Sequence, residues 1–235
     1  MINLSNRSYT KELLDGDDIP FADIRQNMQE LNTINKYLGG HTITTHAVKA
    51  MTAGRQSSKP LSICEIGCGG GDNLQAIALY CKQKNIPVHF TGIDIKEDCI
   101  AFARQQYPGL QARWITSDYR LVNFGTEKPD IIFSSLFCHH FTEAELVPML
   151  QWMQQNTTQG FFINDLHRHP FAYYSIRLIT ALFSRSYLVK NDGPLSVARG
   201  FTTKEWQHIF AAAGITGVSI QWKWAFRHLI MYNHD

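Results

Sequence analysis

The 235-residue sequence carries little charge and has no long apolar run. Charged residues make up 18% of it and the formal net charge is +2, so we expect no strong field for nucleic acid or an anionic membrane. The best apolar stretch, residues 178–183, is far shorter than the roughly 18 residues of a membrane-spanning helix. A hydrophobic share of 44% is still enough to bury a core, which excludes a disordered or fibrous chain.

The sequence also lacks the marks of secreted and zinc-binding proteins. Residues 1–18 contain no apolar segment of the kind found in signal peptides. The cysteines are odd in number and form no CxxC pair; they are Cys64, Cys68, Cys81, Cys99 and Cys138. We therefore expect a reduced, cytoplasmic chain without disulfides or a zinc site.

The apolar pattern divides the chain into a cap and a main domain. Residues 1–58 are predicted to form a helical cap, in which Gly39-Gly40 ends one helix and residues 56–60 form a short linker. Residues 59–235 alternate short apolar strands with helices. This alternation predicts an α/β fold with a Rossmann-like, doubly wound, mostly parallel seven-stranded sheet.

The boundaries of most elements can be predicted from apolar runs, capping boxes and glycines. The predicted parallel strands are 61–66, 88–93, 112–116, 130–133 and 161–164, and the predicted helices of the main domain are 73–81, 99–106, 142–155 and 202–214. Two last strands, 218–222 and 228–232, lie close in sequence and predict a C-terminal antiparallel hairpin.

The regular alternation is interrupted by a predicted insertion at residues 166–200. It should contain a helix over 171–183, followed by a loop at Asn191-Asp-Gly-Pro194. Because it follows a parallel strand, we expect this insertion to lie on the substrate side of the sheet.

A glycine-rich segment, Glu65-Ile-Gly67-Cys68-Gly69-Gly-Gly71, follows the first strand directly. Glycines let a ligand approach the backbone, and the next helix offers free N–H groups. A dinucleotide site would need a glycine at position 72, where this chain has Asp72, whose charge would oppose a pyrophosphate. Glu65 instead favours a ligand with a cationic group. The remaining alternative is a tight turn without a ligand.

These residues resemble motif I of class I S-adenosylmethionine-dependent methyltransferases. The resemblance implies that Glu65, Gly67, Cys68, Gly69 and Gly71 hold the methionine end of the cofactor. It also implies that Asp94 and Ile95, after the second strand, bind the ribose. Further cofactor contacts are implied for Asp118 and Tyr119 at the adenine and for Ser134 beside the cofactor.

Later segments resemble the small-molecule branch of that family. Residues 130–141 are similar to its D-x-V-x-S-x-x-x-L-H-H motif, although Cys138 replaces the usual leucine. Residues 199–202 and 212–215 resemble its R-x-F-T and A-G-F markers. The prolines typical of nucleic-acid amino methyltransferases are missing after the fourth strand. The set is most similar to quinone- and polyketide-tailoring methyltransferases.

Histidines at the predicted sheet edge are the candidates for acid–base chemistry. His139, His140 and His167 are the predicted catalytic residues, and the alternative is that His139 and His140 are structural. The predicted substrate contacts are Asp165, Arg168, His169 and Tyr173. Only one carboxylate, Asp165, lies near these histidines in sequence, so we predict no metal.

Together these features predict methyl transfer from S-adenosylmethionine to an oxygen, or less favourably a carbon, of an aromatic, quinone-like or polyketide-like small molecule. The alternatives are a nicotinamide-dependent oxidoreductase, a silent cofactor- or partner-binding protein, and a protein or RNA methyltransferase. The expected partner is a small-molecule substrate rather than nucleic acid or a membrane. The chain is expected to be a monomer or a homodimer.

Overall fold

A seven-stranded sheet forms the centre of the protein in this computed structural model, which describes residues 3–16, 18–55 and 59–234. The strands are β1 (Leu61–Ile66), β2 (Val88–Asp94), β3 (Ala112–Thr116), β4 (Ile131–Ser135), β5 (Gly160–Leu166), β6 (Ser219–Lys223) and β7 (Arg227–Asn233). Their order in the sheet is β3-β2-β1-β4-β5-β7-β6. Strands β1 to β5 pair in parallel, whereas β7 is antiparallel to both β5 and β6. The predicted fold, including the terminal hairpin, is confirmed.

Eight α-helices surround the sheet in the described part of the chain. They are α1 (Phe21–Tyr37), α2 (Gly40–Met51), α3 (Asp72–Gln83), α4 (Glu97–Gln106), α5 (Glu143–Gln155), α6 (Pro170–Phe183), α7 (Tyr187–Arg199) and α8 (Thr203–Ala213). The predicted capping boxes at Thr142 and Thr202 are both formed, each with a glutamate three residues later. No helix among the described residues is long and apolar enough to cross a membrane.

Two hydrophobic clusters cover the two faces of the sheet. One joins α5 and α8 to the sheet and contains the fully buried Trp206 and Phe161. The other joins α2 and α3 to the sheet and contains Phe133 and Phe162, whose rings stack at 4.7 Å. Because both faces are covered, β4 is buried along its whole length, as its apolar sequence predicts.

The loop predicted at Asn191-Asp-Gly-Pro194 is wrong, because α7 runs through it. Tertiary contacts outweigh the turn preference of these residues. Asp192 accepts hydrogen bonds from the backbone N–H groups of Leu13 and Leu14. A Cβ on Gly193 would lie 3.5 Å from Ile176 and from Thr180 on α6, so the glycine lets the two helices pack closely.

The cap contains α1, α2 and a segment before them, residues 3–16. Gly39 lies between the helices in the left-handed region, with φ of 77°, which is the predicted helix end. Residues 56–58 of the predicted linker lie outside the described residues. The first segment returns to the main domain, where the Arg7 guanidinium lies 4.0 Å from the Phe201 ring.

Candidate active site

A cavity of about 820 Å³ opens at the carboxyl ends of the parallel strands. Strand β1 lies between β2 and β4, so the chain crosses to opposite sides of the sheet around it. This reversal is where doubly wound sheets bind ligands. The cavity is lined by residues of the glycine-rich segment, the cap, the segment after β4, and helices α6 and α7.

The glycine-rich segment forms the first wall of the cavity. Gly67 has φ of +66°, and a Cβ there would lie 2.2 Å from a ring carbon of Phe137. Gly71 has φ of +76° and would place a Cβ 2.6 Å from Trp114. Both conformation and space therefore require glycine at these two positions. Gly69 has φ of +48°, but a Cβ there would meet open space.

Asp94 ends β2 and holds this segment in place. Its carboxylate accepts hydrogen bonds of 2.9 Å from the backbone N–H groups of Gly69 and Lys96. Burial raises its pKa, while these two donors act in the opposite direction. Ile95 follows it at the cavity wall, and the Cys68 N–H donates to the carbonyl of Ile93. Asp94 thus presents carboxylate oxygens to a polar ligand beside Gly69.

Glu65 is a buried carboxyl group with one unused oxygen. Its Oε1 accepts a hydrogen bond of 3.0 Å from Asn73, whereas its Oε2 is buried without a partner among the described residues. Burial, followed by the charge of Asp72, raises the pKa of Glu65 well above its ordinary value. Asp72 itself bonds to His41 at 2.8 Å, so the cap contacts this end of the cavity. A cationic ligand group would satisfy Glu65.

Four of the residues expected at the cofactor lie outside the cavity lining, namely Gly71, Asp118, Tyr119 and Ser134. Asp118 is paired with Arg120, which lowers the pKa of its carboxyl group. Tyr119 is buried edge-on against Trp152, at 5.2 Å between ring centroids. Ser134 is fully buried and contacts the Cys138 thiol at 3.4 Å, whereas the next residue, Ser135, lines the cavity. Their cofactor roles stay predictions.

His139 and Asp165 form a buried pair at the opposite wall. The His139 Nδ1 lies 2.7 Å from Asp165 Oδ1, and the His139 backbone N–H donates to the other oxygen of the same carboxylate. Burial opposes ionisation of Asp165, but the charge and hydrogen bond of His139 outweigh it and lower its pKa. A carboxylate bonded to Nδ1 fixes the tautomer that leaves Nε2 free to accept a proton. His139 lines the cavity.

His140 has a similar partner, and one carboxylate joins the two histidines. The His140 Nδ1 lies 2.9 Å from Asp15. Glu12 lies between the free nitrogens, with its carboxylate oxygens 3.5 Å from His139 Nε2 and 3.8 Å from His140 Nε2. Burial raises the pKa of Glu12 to about 6, although the charge of His140 lowers it. The three side chains form a proton-accepting cluster.

The same three side chains bear on the predicted absence of a metal. Glu12, His139 and His140 place one potential ligand atom each within 4.8 Å of one another. Glu12 is far from both histidines in sequence and reaches the cluster from the cap. Sequence reasoning missed Glu12 because no local pattern pairs residue 12 with residue 139.

Two arginines fix the position of this cluster. Arg7 donates to the carbonyls of His139, Phe141 and Arg199. Arg199 donates to the carbonyls of His139 and His140 and lies 3.3 Å from Asp15. These hydrogen bonds restrict the backbone of both histidines, and this restriction pre-organises the cluster.

The other predicted residues surround the cavity without lining it. Arg168 is buried in an ion pair with Glu205 at 2.7 Å and supports the scaffold. The His167 ring packs against His228, at 4.8 Å between centroids, and burial lowers the pKa of His167. His169 caps α6 by accepting from the Phe171 N–H, and Tyr173 packs edge-on against Tyr174. Asp165 is fully buried and contacts His139 instead.

Comparison with protein families gives a match in this part of the chain. Residues 63–160 match the family model described as a methyltransferase domain. This region includes β1 to β4, the glycine-rich segment, Asp94, His139 and His140. No curated protein sequence matches the chain.

Solved structures share the fold at low sequence identity. The plantazolicin methyltransferase BpumL in complex with SAH superposes with a TM-score of 0.63 at 18% identity, over 84% of this chain and 72% of that one. Magnesium protoporphyrin IX methyltransferase from Synechocystis PCC 6803 with bound SAH gives 0.56 at 16% identity, over 86% and 87%. A putative O-methyltransferase from Nostoc punctiforme gives 0.57 at 15% identity, over 81% and 55%.

Proposed function

We propose that this chain, an S-adenosylmethionine-dependent methyltransferase of class I, transfers the methyl group to an oxygen of an aromatic or polyketide-like small molecule. A quinone-like acceptor belongs to the same class. The observation that carries the proposal is the single cavity that contains both the glycine-rich segment and the histidine cluster. A methyl donor and an acceptor hydroxyl could therefore meet without crossing solvent.

The first wall of the cavity fits S-adenosylmethionine. Glu65 Oε2 is a buried acceptor without a partner, which suits an ammonium group. Asp94 has carboxylate oxygens for ribose hydroxyls, and Gly69 leaves the backbone accessible. When bound, the cofactor supplies a methyl group on a positively charged sulfur. The protein then has to align the acceptor with it in a dry site.

His139 is the proposed general base. Its Nδ1 is held by Asp165, so Nε2 can take the acceptor proton as the oxygen becomes the nucleophile. Glu12 stabilises the imidazolium that results, because its carboxylate lies 3.5 Å from that nitrogen. His140, held by Asp15, is the second base of the cluster. A base at this position can remove the proton of a hydroxyl nucleophile, which supports an oxygen as the acceptor atom.

Apolar side chains at the second wall support a small acceptor. Phe137, Phe171, Ile176 and Phe226 line the cavity together with Trp224 from the β6–β7 turn. Such an apolar surface suits an aromatic or polyketide skeleton. The few polar groups of the cavity would then orient that skeleton. The cap, residues 1–58, and the insertion, residues 166–200, both contribute to this wall. A pocket of this kind, together with the near-neutral charge, argues against nucleic acid as substrate.

The proposal is tested by ligand binding followed by turnover. S-adenosylhomocysteine should raise the melting temperature of the protein, whereas NAD(H) should not. Purified protein with methyl-labelled S-adenosylmethionine should then label phenols from a panel of aromatic and polyketide-like compounds. Stabilisation by NAD(H) alone would support the oxidoreductase alternative, and labelling of protein or RNA alone would replace the small-molecule acceptor. The same preparation gives the oligomeric state, for which we propose a monomer or homodimer.

A further inference from the structure

Arg227 is a buried cation that forms no ion pair with any carboxylate of the described residues, although the charges of Asp165 and Asp72 act on it from a distance. It begins β7, is 3% exposed, and lines the cavity. Its Nη2 donates to the side-chain oxygen of Asn35 at 2.9 Å, whereas its Nη1 has no partner among the described residues. No described carboxylate forms an ion pair with it. A buried guanidinium in this state is costly unless a ligand supplies an anion.

The fold makes room for this guanidinium. A Cβ on Gly40 would lie 3.1 Å from Arg227 Nη1 and 2.8 Å from the side-chain oxygen of Asn35. Gly40 begins α2, so the cap approaches the arginine at a position where any larger residue would displace it. The burial that results lowers the pKa of Arg227 to about 10, which leaves it charged at neutral pH.

A series of contacts leads from Arg227 to the carboxyl group of Glu65, in which one link is the backbone between Asp72 and Asn73. Asn35 accepts from Arg227 and donates to Asp72 at 3.4 Å. The residue after Asp72 is Asn73, which donates to Glu65. Arg227 and Glu65 both line the same cavity, and each has one buried polar atom without a partner among the described residues, Nη1 and Oε2 respectively. One is a donor with positive charge and the other an acceptor that a cation would satisfy.

We infer that Arg227 binds the carboxylate of the amino-acid end of the methyl donor, while Glu65 binds its ammonium group. This inference rests on the proposed function, since it takes S-adenosylmethionine as the ligand. An amino acid has its ammonium and its carboxylate attached to one carbon. These two groups match Glu65 and Arg227, which have opposite charge, an unpartnered atom each, and a series of contacts between them. Arg227 is then a positioning residue that anchors the donor from β7, outside the segment matched by the family model.

The guanidinium shape matters to this role as well as its charge. Asn35 holds Nη2, so Nη1 points in a fixed direction that a flexible lysine ammonium would not reproduce. Arg227→Lys should therefore recover only part of what Arg227→Met loses. An anionic acceptor is the other possible source of the carboxylate, and the experiment separates the two sources.

Calorimetric titration with two ligands tests the inference. S-adenosylhomocysteine carries the carboxylate, whereas its decarboxylated analogue keeps the ammonium and lacks only that group. For Arg227→Met we expect S-adenosylhomocysteine to bind about 30- to 100-fold more weakly, since a buried charge-assisted bond is lost. The analogue should bind within about threefold of its wild-type affinity. Arg113→Met, at an exposed position on β3, is the matched control and should change neither titration.

Thermal melting without ligand separates this role from a structural one. Because Arg227→Met removes a buried cation that lacks a counter-ion, its melting temperature should equal or exceed that of the wild type. A clear drop, or equal weakening of both ligands, would overturn the inference. Unchanged S-adenosylhomocysteine binding by Arg227→Met would also overturn it and would assign the arginine to an acceptor anion. If the wild type binds neither ligand, the proposed function is wrong as well.

Discussion

The two ends of the cavity are built in different ways. The cofactor end comes mainly from one stretch, residues 65–73, with Asp94 from the neighbouring strand. The acceptor end assembles side chains from separate parts of the chain, namely Glu12, Asp15, His139, Asp165 and Arg199. The first end depends on backbone conformation, whereas the second depends on ion pairs between distant segments.

This difference shows which changes each end can tolerate. Backbone geometry at Gly67 leaves no room for a side chain, so the cofactor end should be sensitive to added volume. The acceptor end is a network of charges around His139, so it should be sensitive to the loss of single proton-carrying groups. Substitutions at the two ends should therefore damage different steps.

The largest effect is expected for His139→Gln. Loss of the proposed base should lower kcat by about 10²- to 10⁴-fold, while S-adenosylhomocysteine binds as in the wild type. Steady-state kinetics and calorimetry on one preparation measure both quantities. His46→Gln, at an exposed position of α2, is the control and should leave both unchanged. An equal loss of cofactor affinity would show that His139 only supports the structure.

A smaller effect, on binding rather than turnover, is expected for Gly67→Ala. The added Cβ meets Phe137 and is strained at positive φ, which should weaken S-adenosylhomocysteine binding by about 100-fold, or ~3 kcal/mol. Gly69→Ala meets open space and should lose about fivefold from its φ alone. The double change Gly67→Ala with Phe137→Ala should recover part of the loss. Equal effects at the two glycines would contradict the packing argument.

A third effect concerns stability at the acceptor end. Burial raises the pKa of Glu12 from 4.5 to about 6, so the folded protein holds this proton more tightly than the unfolded chain does. Its contribution to the free energy of unfolding is therefore complete below pH 4.5. About 2 kcal/mol of that contribution is lost as the pH rises through about 6. In Glu12→Gln the side chain does not titrate, so the variant should not lose stability in this pH range. Urea unfolding of both proteins at pH 4.5 and pH 7 should show the difference, and parallel pH curves would contradict it.

The smallest effect is expected from removing metal ions. If Glu12, His139 and His140 act as proton acceptors, EDTA-treated protein should keep its full rate. Added Zn²⁺ should inhibit, because it would occupy the same three atoms. A rate that falls with EDTA and returns with a divalent cation would replace the base mechanism by a metal-assisted one.

Most of the fold could be predicted from local patterns. Strands β1 and β3 have the predicted boundaries, and the helices that begin after Thr142 and Thr202 follow from their capping boxes. Such elements are encoded by neighbouring residues. The loop predicted at residues 191–194 is wrong because the conformation there depends on distant residues. Contacts with Leu13, Leu14 and α6 keep this segment helical.

The site was predictable to the extent that its residues are close in sequence. The glycine-rich segment, Asp94 and the histidines follow from spacing after strands. Glu12 and Arg227 could not be found this way, because their partners lie far away in the chain and neither stands in a motif. Only the folded structure shows that Glu12 joins two histidines and that Arg227 forms no ion pair with a described carboxylate.

The contacts of Arg7 determine which part of the site can form first during synthesis of the chain. Its partners include the carbonyl of Arg199, 192 residues later in the chain. During translation, the glycine-rich segment and Asp94 are complete about 100 residues before that carbonyl exists. A nascent chain therefore carries the glycine-rich segment and Asp94 long before Arg7 can make the contacts that hold the histidine cluster. The histidine cluster reaches the geometry described above only after residues 3–16 have made their contacts with Arg199.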